Sequence, residues 1–172
     1  LWAWGKAANG LQFALVTTRS WAQLGRQVVR RRVGGRWVKM PPSVHVQSVM
    51  ALRNVSKKPI TVSVYPGDRF LALGAANDAG KKVNVDFYAY LQTRKTAPFD
   101  LAGNTLKVEP GKITFVSSYG KGEYGTGFNL AAPAGKWKLT AAYAAERKGA
   151  GLWIGTVSSA SVDFEVKAAR KR

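Results

Sequence analysis

Short runs of apolar or alternating residues recur along this chain, and several are bounded by turn dipeptides. Asn9-Gly10 precedes LQFALVTT (11–18), and Gly34-Gly35 separates VVRRRV from RWVKM (28–40). Pro66-Gly67 follows ITVSVY (60–65), and Pro110-Gly111 splits TLKVEPGKITFVSS (105–118). Glycine and asparagine reach positive φ at little cost, and proline cannot donate to a ladder, so such pairs punctuate extended chain. In VNVDFYAYLQT (83–93), Val83, Val85, Phe87, Ala89 and Leu91 fall on one side and the intervening residues on the other. That period of two marks a half-buried strand. No segment keeps a helical period over three turns, and RSWAQLGRQ (19–27) is open between a short helical turn and a loop. The pattern predicts about nine or ten strands and one all-β domain over 1–172, a sandwich or a barrel, of which a single antiparallel β-sandwich is the economical reading.

With 172 residues, the chain can bury about two thirds of its unfolded surface without staples. Six Trp, six Tyr and seven Phe supply bulky core material, and core packing is expected to claim most of the tryptophans. No run of about 18 apolar residues occurs, so no transmembrane segment is expected. The absence of cysteine excludes disulfides, thiolate metal sites and thiol catalysis. A start at Leu1 rather than Met fits a cleaved export signal, and equally a chain given only in part; an exported, periplasmic or cell-surface location is the expectation.

Charge is uneven as well as large. Twenty-seven Lys and Arg face nine Asp and Glu, for a net charge of +18, and the first acid is Asp68. Residues 1–67 thus carry eleven basic side chains and no acidic ones. Self-repulsion on this scale favours an anionic partner. The densest stretch, RQVVRRRVGGRWVK (26–39), holds six cations and reads as a hairpin turning at Gly34-Gly35. In extended chain its arginines fall on both faces, which suits a protruding ribbon. The candidate partner-binding residues are Arg26, Arg30, Arg31, Arg32, Arg36, Trp37 and Lys39, with Lys167, Arg170, Lys171 and Arg172 of the basic tail KAARKR (167–172).

Several phrases together resemble the immunoglobulin-like β-sandwich modules of exported bacterial proteins, especially planctomycete ones. They are WGKAANGLQFAL (4–15), ALRNVSKKPITV (51–62), PAGKWKLTAAY (133–143) and WIGTVSSASVDFEV (153–166), in that order. Against that pattern, residues 20–42 with the arginine hairpin look like an insertion. The resemblance implies a scaffold or binding role, within a larger protein or assembly, and brings no catalytic residues.

The residues themselves offer little catalytic chemistry. His45, the only histidine, alternates with Val44 and Val46 and reads as a solvent-facing strand residue. Asp163 and Glu165 share one face of a strand, where cross-strand pairing with lysine or arginine accounts for them better than a glycosidase pair does. NDAGKKVNVD (77–86) places Lys81 and Lys82 among its oxygens, unlike a calcium loop. YGKGEYGTGFN (119–129) resembles a phosphate-cradling loop but lacks the helix that would follow one. No cofactor, metal site or enzymatic activity is expected.

Two functional readings follow. In the first, the chain is a structural or adapter subunit of a larger assembly. Its basic residues dock acidic protein subunits or another polyanion (anionic lipid or acidic polysaccharide), with Trp37, Trp2 and Trp4 as interface anchors. In the second it binds nucleic acid, with the ribbon along the polymer and Trp37, Tyr119 or Tyr124 stacking on bases. The resemblance favours the first.

Overall fold

The structure is a computed structural model, and it describes residues 2–25, 30–39, 42–63, 69–83, 85–87, 105–117, 120–121, 126–145 and 151–169. All regular structure among these residues is strand. The first strands are β1 (Trp2–Trp4), β2 (Leu11–Thr17), β3 (Trp21–Gln23), β4 (Arg30–Val33), β5 (Arg36–Lys39) and β6 (Val44–Asn54). Next come β7 (Ile60–Ser63), β8 (Arg69–Ala76), β9 (Lys82–Val83), β10 (Val85–Phe87), β11 (Thr105–Val108) and β12 (Ile113–Ser117). The chain continues through β13 (Gly120–Lys121), β14 (Thr126–Leu130), β15 (Gly135–Ala145), β16 (Gly155–Ser158) and β17 (Val162–Lys167). No helix among the described residues is long and apolar enough to cross a membrane.

Two sheets carry most of the strands. One runs β1-β2-β6-β12-β13, with β14 beside the first half of β6 and β10 beside β14. The other runs β3-β17-β15-β8-β9, with β16 also against β15. Two ribbons, β4–β5 and β7–β11, complete the set. Alternation decides which side chains go inside. Leu11, Phe13 and Leu15 of β2 and Met50 and Leu52 of β6 join Leu139 and Tyr143 of β15 and Val162, Phe164 and Val166 of β17 in one core. Phe13 and Tyr143 meet across it with ring centroids 6.2 Å apart. The buried Tyr143 hydroxyl donates to the Ser63 carbonyl at 2.8 Å, so the ring enters the core without an orphaned polar group.

The all-β expectation holds, but three local expectations need correction. The six-stranded sheet is mixed rather than antiparallel, because β3 pairs in parallel with β17, Glu165 standing opposite Trp21 and Lys167 opposite Gln23. The segment open between helical turn and loop is therefore a strand at residues 21–23, and it uses a β17 edge that no hairpin partner occupies. The opening segment also contains a strand, β1, before the turn at Asn9 (φ 49°) and Gly10 (φ 79°). Finally, the core takes only Trp137 and Trp153, while Trp2, Trp21 and Trp37 are exposed and Trp4 is half-buried. The indole of Trp137 donates to the Pro133 carbonyl at 3.1 Å and that of Trp153 to the Asn9 carbonyl at 3.2 Å. The other four lie on short strands at or near sheet edges or on the separate ribbon.

Of the predicted strand over 83–93, residues 85–87 form β10, and 84 and 88–93 lie outside the described residues.

Candidate functional site

The basic ribbon forms where the glycine pair predicts it. Gly34 (φ 54°) and Gly35 (φ 83°) both take positive φ, the conformation of the two-residue turn whose twist matches paired strands. The register sets Arg30 opposite Lys39, Arg31 opposite Val38, Arg32 opposite Trp37 and Val33 opposite Arg36. Positions 30, 32, 37 and 39 therefore share one face, and the arginines are divided between the two faces. Arg32, Arg36, Val38 and Lys39 are exposed, and Trp37 is 69% exposed. The Arg32 Nε donates to the Gly35 carbonyl at 3.3 Å, which keeps its guanidinium near the turn. Among the described residues, β4 and β5 pair only with each other. Arg26 lies outside the described residues.

The predicted tail residue Lys167 belongs to another cluster. Its ammonium sits 4.3 Å from the Trp21 ring, and the Arg19 guanidinium lies 5.9 Å from the same ring. Such placements are cation–π contacts. Arg170, Lys171 and Arg172 lie outside the described residues, as do Tyr119 and Tyr124. Arg19 and Trp21 carry this cluster and were not singled out from the sequence. Their i, i+2 spacing was the available signal, once residues 21–23 are read as a strand.

Beside this cluster runs a cleft of about 420 Å³, lined by Thr18, Arg19, Trp21, Gln23, His45 and Gln47. His45 is exposed between buried Val44 and Val46, as the alternation predicts.

The carboxylates gather elsewhere. Asp163 stands opposite Lys138 and Glu165 opposite Lys136, and the Lys138 ammonium reaches Asp78 at 3.4 Å. Glu109 pairs with Lys107 at 2.9 Å. Asp163 and Glu165 thus face lysines across the ladder, in the arrangement expected of a solvated sheet face. Asn77 also has a structural task, its Oδ1 accepting the Lys81 amide at 2.8 Å within the turn read against calcium. The glycine-rich stretch is flanked by β13 and β14, and residues 122–125 lie outside the described residues.

A scan against models of protein families finds no matching family, and searches of curated proteins and of solved structures find no match.

Proposed function

We propose that this chain is an immunoglobulin-like β-sandwich module acting as a structural or adapter subunit of a larger exported assembly. It docks an acidic protein surface through the β4–β5 ribbon. The observation that carries this reading is the exposure of Trp37, 69%, on a strand that also exposes Arg36 and Lys39 and lies opposite Arg32. An exposed indole amid cations gains most when a partner desolvates it, and Trp and Arg are the side chains that most often carry interface energy. No acid lies anywhere in residues 30–39, so the ribbon offers an acidic surface no repulsion. The resemblance to exported scaffold modules points the same way.

The test is to isolate the protein's complex from its source before and after nuclease treatment, alongside Arg30→Ser/Arg31→Ser/Arg32→Ser and Trp37→Ala variants. The expected complex contains other polypeptides, survives nuclease and is lost in both variants. A complex that dissolves under nuclease would replace this reading with nucleic-acid binding. Variants that fold and keep every interaction would remove the ribbon from the function.

A further inference from the structure

The outer face of the sheet β1-β2-β6-β12 carries an aromatic layer that the core does not explain. Register sets Trp4, Ala14, Ala51 and Phe115 in one row across the four strands. Ala14 and Ala51 are fully buried yet do not belong to the core cluster, so what covers them lies on the outer side. Small side chains at the centre of a sheet leave a trough that large neighbours can occupy. Trp2 and Trp4 stack there with centroids 5.7 Å apart, and Trp2 reaches Phe115 at 5.9 Å. The cover remains half open to solvent, with Trp2 50%, Phe115 48% and Ile113 45% exposed.

The next row holds Gln12, Arg53 and Ile113. The Arg53 guanidinium lies 4.6 Å from the Trp4 ring and donates through Nε to Gln12 Oε1 at 2.9 Å. Gln12 in turn donates to the Gly5 carbonyl at 3.0 Å. The cation is therefore held beside the aromatic layer. Exposed Lys6 and Lys112 follow Trp4 and precede Ile113 closely in the chain. The described residues of these four strands include no acid, and Glu109, the acid nearest in sequence to β12, is paired with Lys107.

We propose that this face docks on an anionic lipid bilayer. A bilayer surface is layered: phosphates outside, the acyl boundary a few ångströms beneath. Trp, Phe and Ile at one level with cations at the rim match that order, since indoles favour the interface and cationic heads reach the phosphates. The net charge of +18 supplies long-range attraction to an anionic leaflet. The same charge opposes a second copy on this face. A single-stranded polynucleotide fits less well, because Trp4 is already stacked by Trp2 and by Arg53 and offers bases no free platform. This proposal does not rest on the ribbon.

The absence of cysteine makes a single-site probe direct. An environment-sensitive dye is attached at Ile113→Cys, and in a second variant at Thr140→Cys, an exposed position on β15 of the opposite sheet. Mixed phosphatidylcholine–phosphatidylglycerol vesicles are expected to shift the emission at 113 to the blue and leave that at 140 unchanged. Phosphatidylcholine alone is expected to do neither. Trp2→Ala/Phe115→Ala, with its fold checked by circular dichroism, is expected to weaken partitioning by at least about tenfold. The triple arginine variant of the ribbon is expected to keep the shift at 113. No shift at 113, or equal shifts at both positions, overturns the proposal. So does a lipid-independent shift that grows with protein concentration, which assigns the face to a second copy. A shift produced by a polynucleotide and not by vesicles assigns it to nucleic acid. Because the ribbon variant is read out on protein complexes and the face variant on vesicles, either reading can fail alone.

Discussion

At Gly5 the chain leaving β1 comes against the end of β16, and the two backbones are too close for any side chain. A Cβ there would lie 1.6 Å from the Ser158 carbonyl oxygen and 2.7 Å from its carbon. The contact is held by Ala160 donating to the Ala3 carbonyl at 3.2 Å and Gly5 donating to the Phe13 carbonyl at 3.0 Å. Gly5→Ala must push backbone from backbone and is expected to cost about 3 kcal/mol, the upper range for overpacking. For a chain of this size that lowers Tm by about 6–12 °C, which a thermal melt followed by circular dichroism measures. Asn54 is a second such position. Its buried carboxamide donates to the Lys58 carbonyl at 2.7 Å and the Val108 carbonyl at 2.8 Å, and accepts from the Ser56 amide at 2.8 Å. It thereby ties the SKKP turn (56–59) and β11 to the end of β6. Asn54→Ala is expected to lose about 3 kcal/mol, read by urea unfolding, because buried partners are left unpaired. Neither role is legible in the chain. Gly5 reads as one glycine in a loop and Asn54 as one polar residue at a strand end, since the atoms that constrain them come from residues distant in sequence or beyond a turn.

The ribbon was legible as an element because its signal is local. Two glycines between extended runs demand positive φ, and the alternation fixes which residues share a face. Gly34→Ala/Gly35→Ala is expected to unpair β4 and β5, since alanine at positive φ costs about 1–2 kcal/mol per site. The main thermal transition should stay within about 2 °C, since the ribbon lends no strand to the large sheets. Amide hydrogen exchange should show faster exchange confined to residues 30–39. Slowed folding or a lower main transition would mean that the ribbon packs on the core. By contrast, β3 was not legible. Three residues with an exposed Trp give no period, and their partner β17 lies at the other end of the chain.

For the molecule as a whole, uncompensated charge is the main electrostatic fact. The two ion pairs among the described residues, Lys107–Glu109 and Lys138–Asp78, are both exposed, and such pairs contribute little. The remaining cations repel one another at low ionic strength. Raising ionic strength from about 10 mM to about 0.15 M shortens the screening length from about 30 Å to about 8 Å. Tm is expected to rise by several degrees over that range, and differential scanning calorimetry in sodium chloride checks it. A flat or falling Tm would show that the folded chain already separates its cations well enough to avoid the cost.

The sequence by itself determined what depends on neighbours a few residues away. It marked extended runs and their turns, the burial of Val162, Phe164 and Val166 against the exposure of Asp163 and Glu165, and the solvent-facing place of His45. These follow from partition between water and core at a period of two, which each strand expresses alone. Only the tertiary structure decided which strands are neighbours. It set β1, β2 and β6, all from the acid-free first 67 residues, side by side, so a compositional bias along the chain became one face of a sheet. It brought Trp2 to Phe115 and Lys167 to Trp21, across more than a hundred residues. Pairing of that kind is settled by the register and packing of whole sheets, for which a strand read on its own contains no partner.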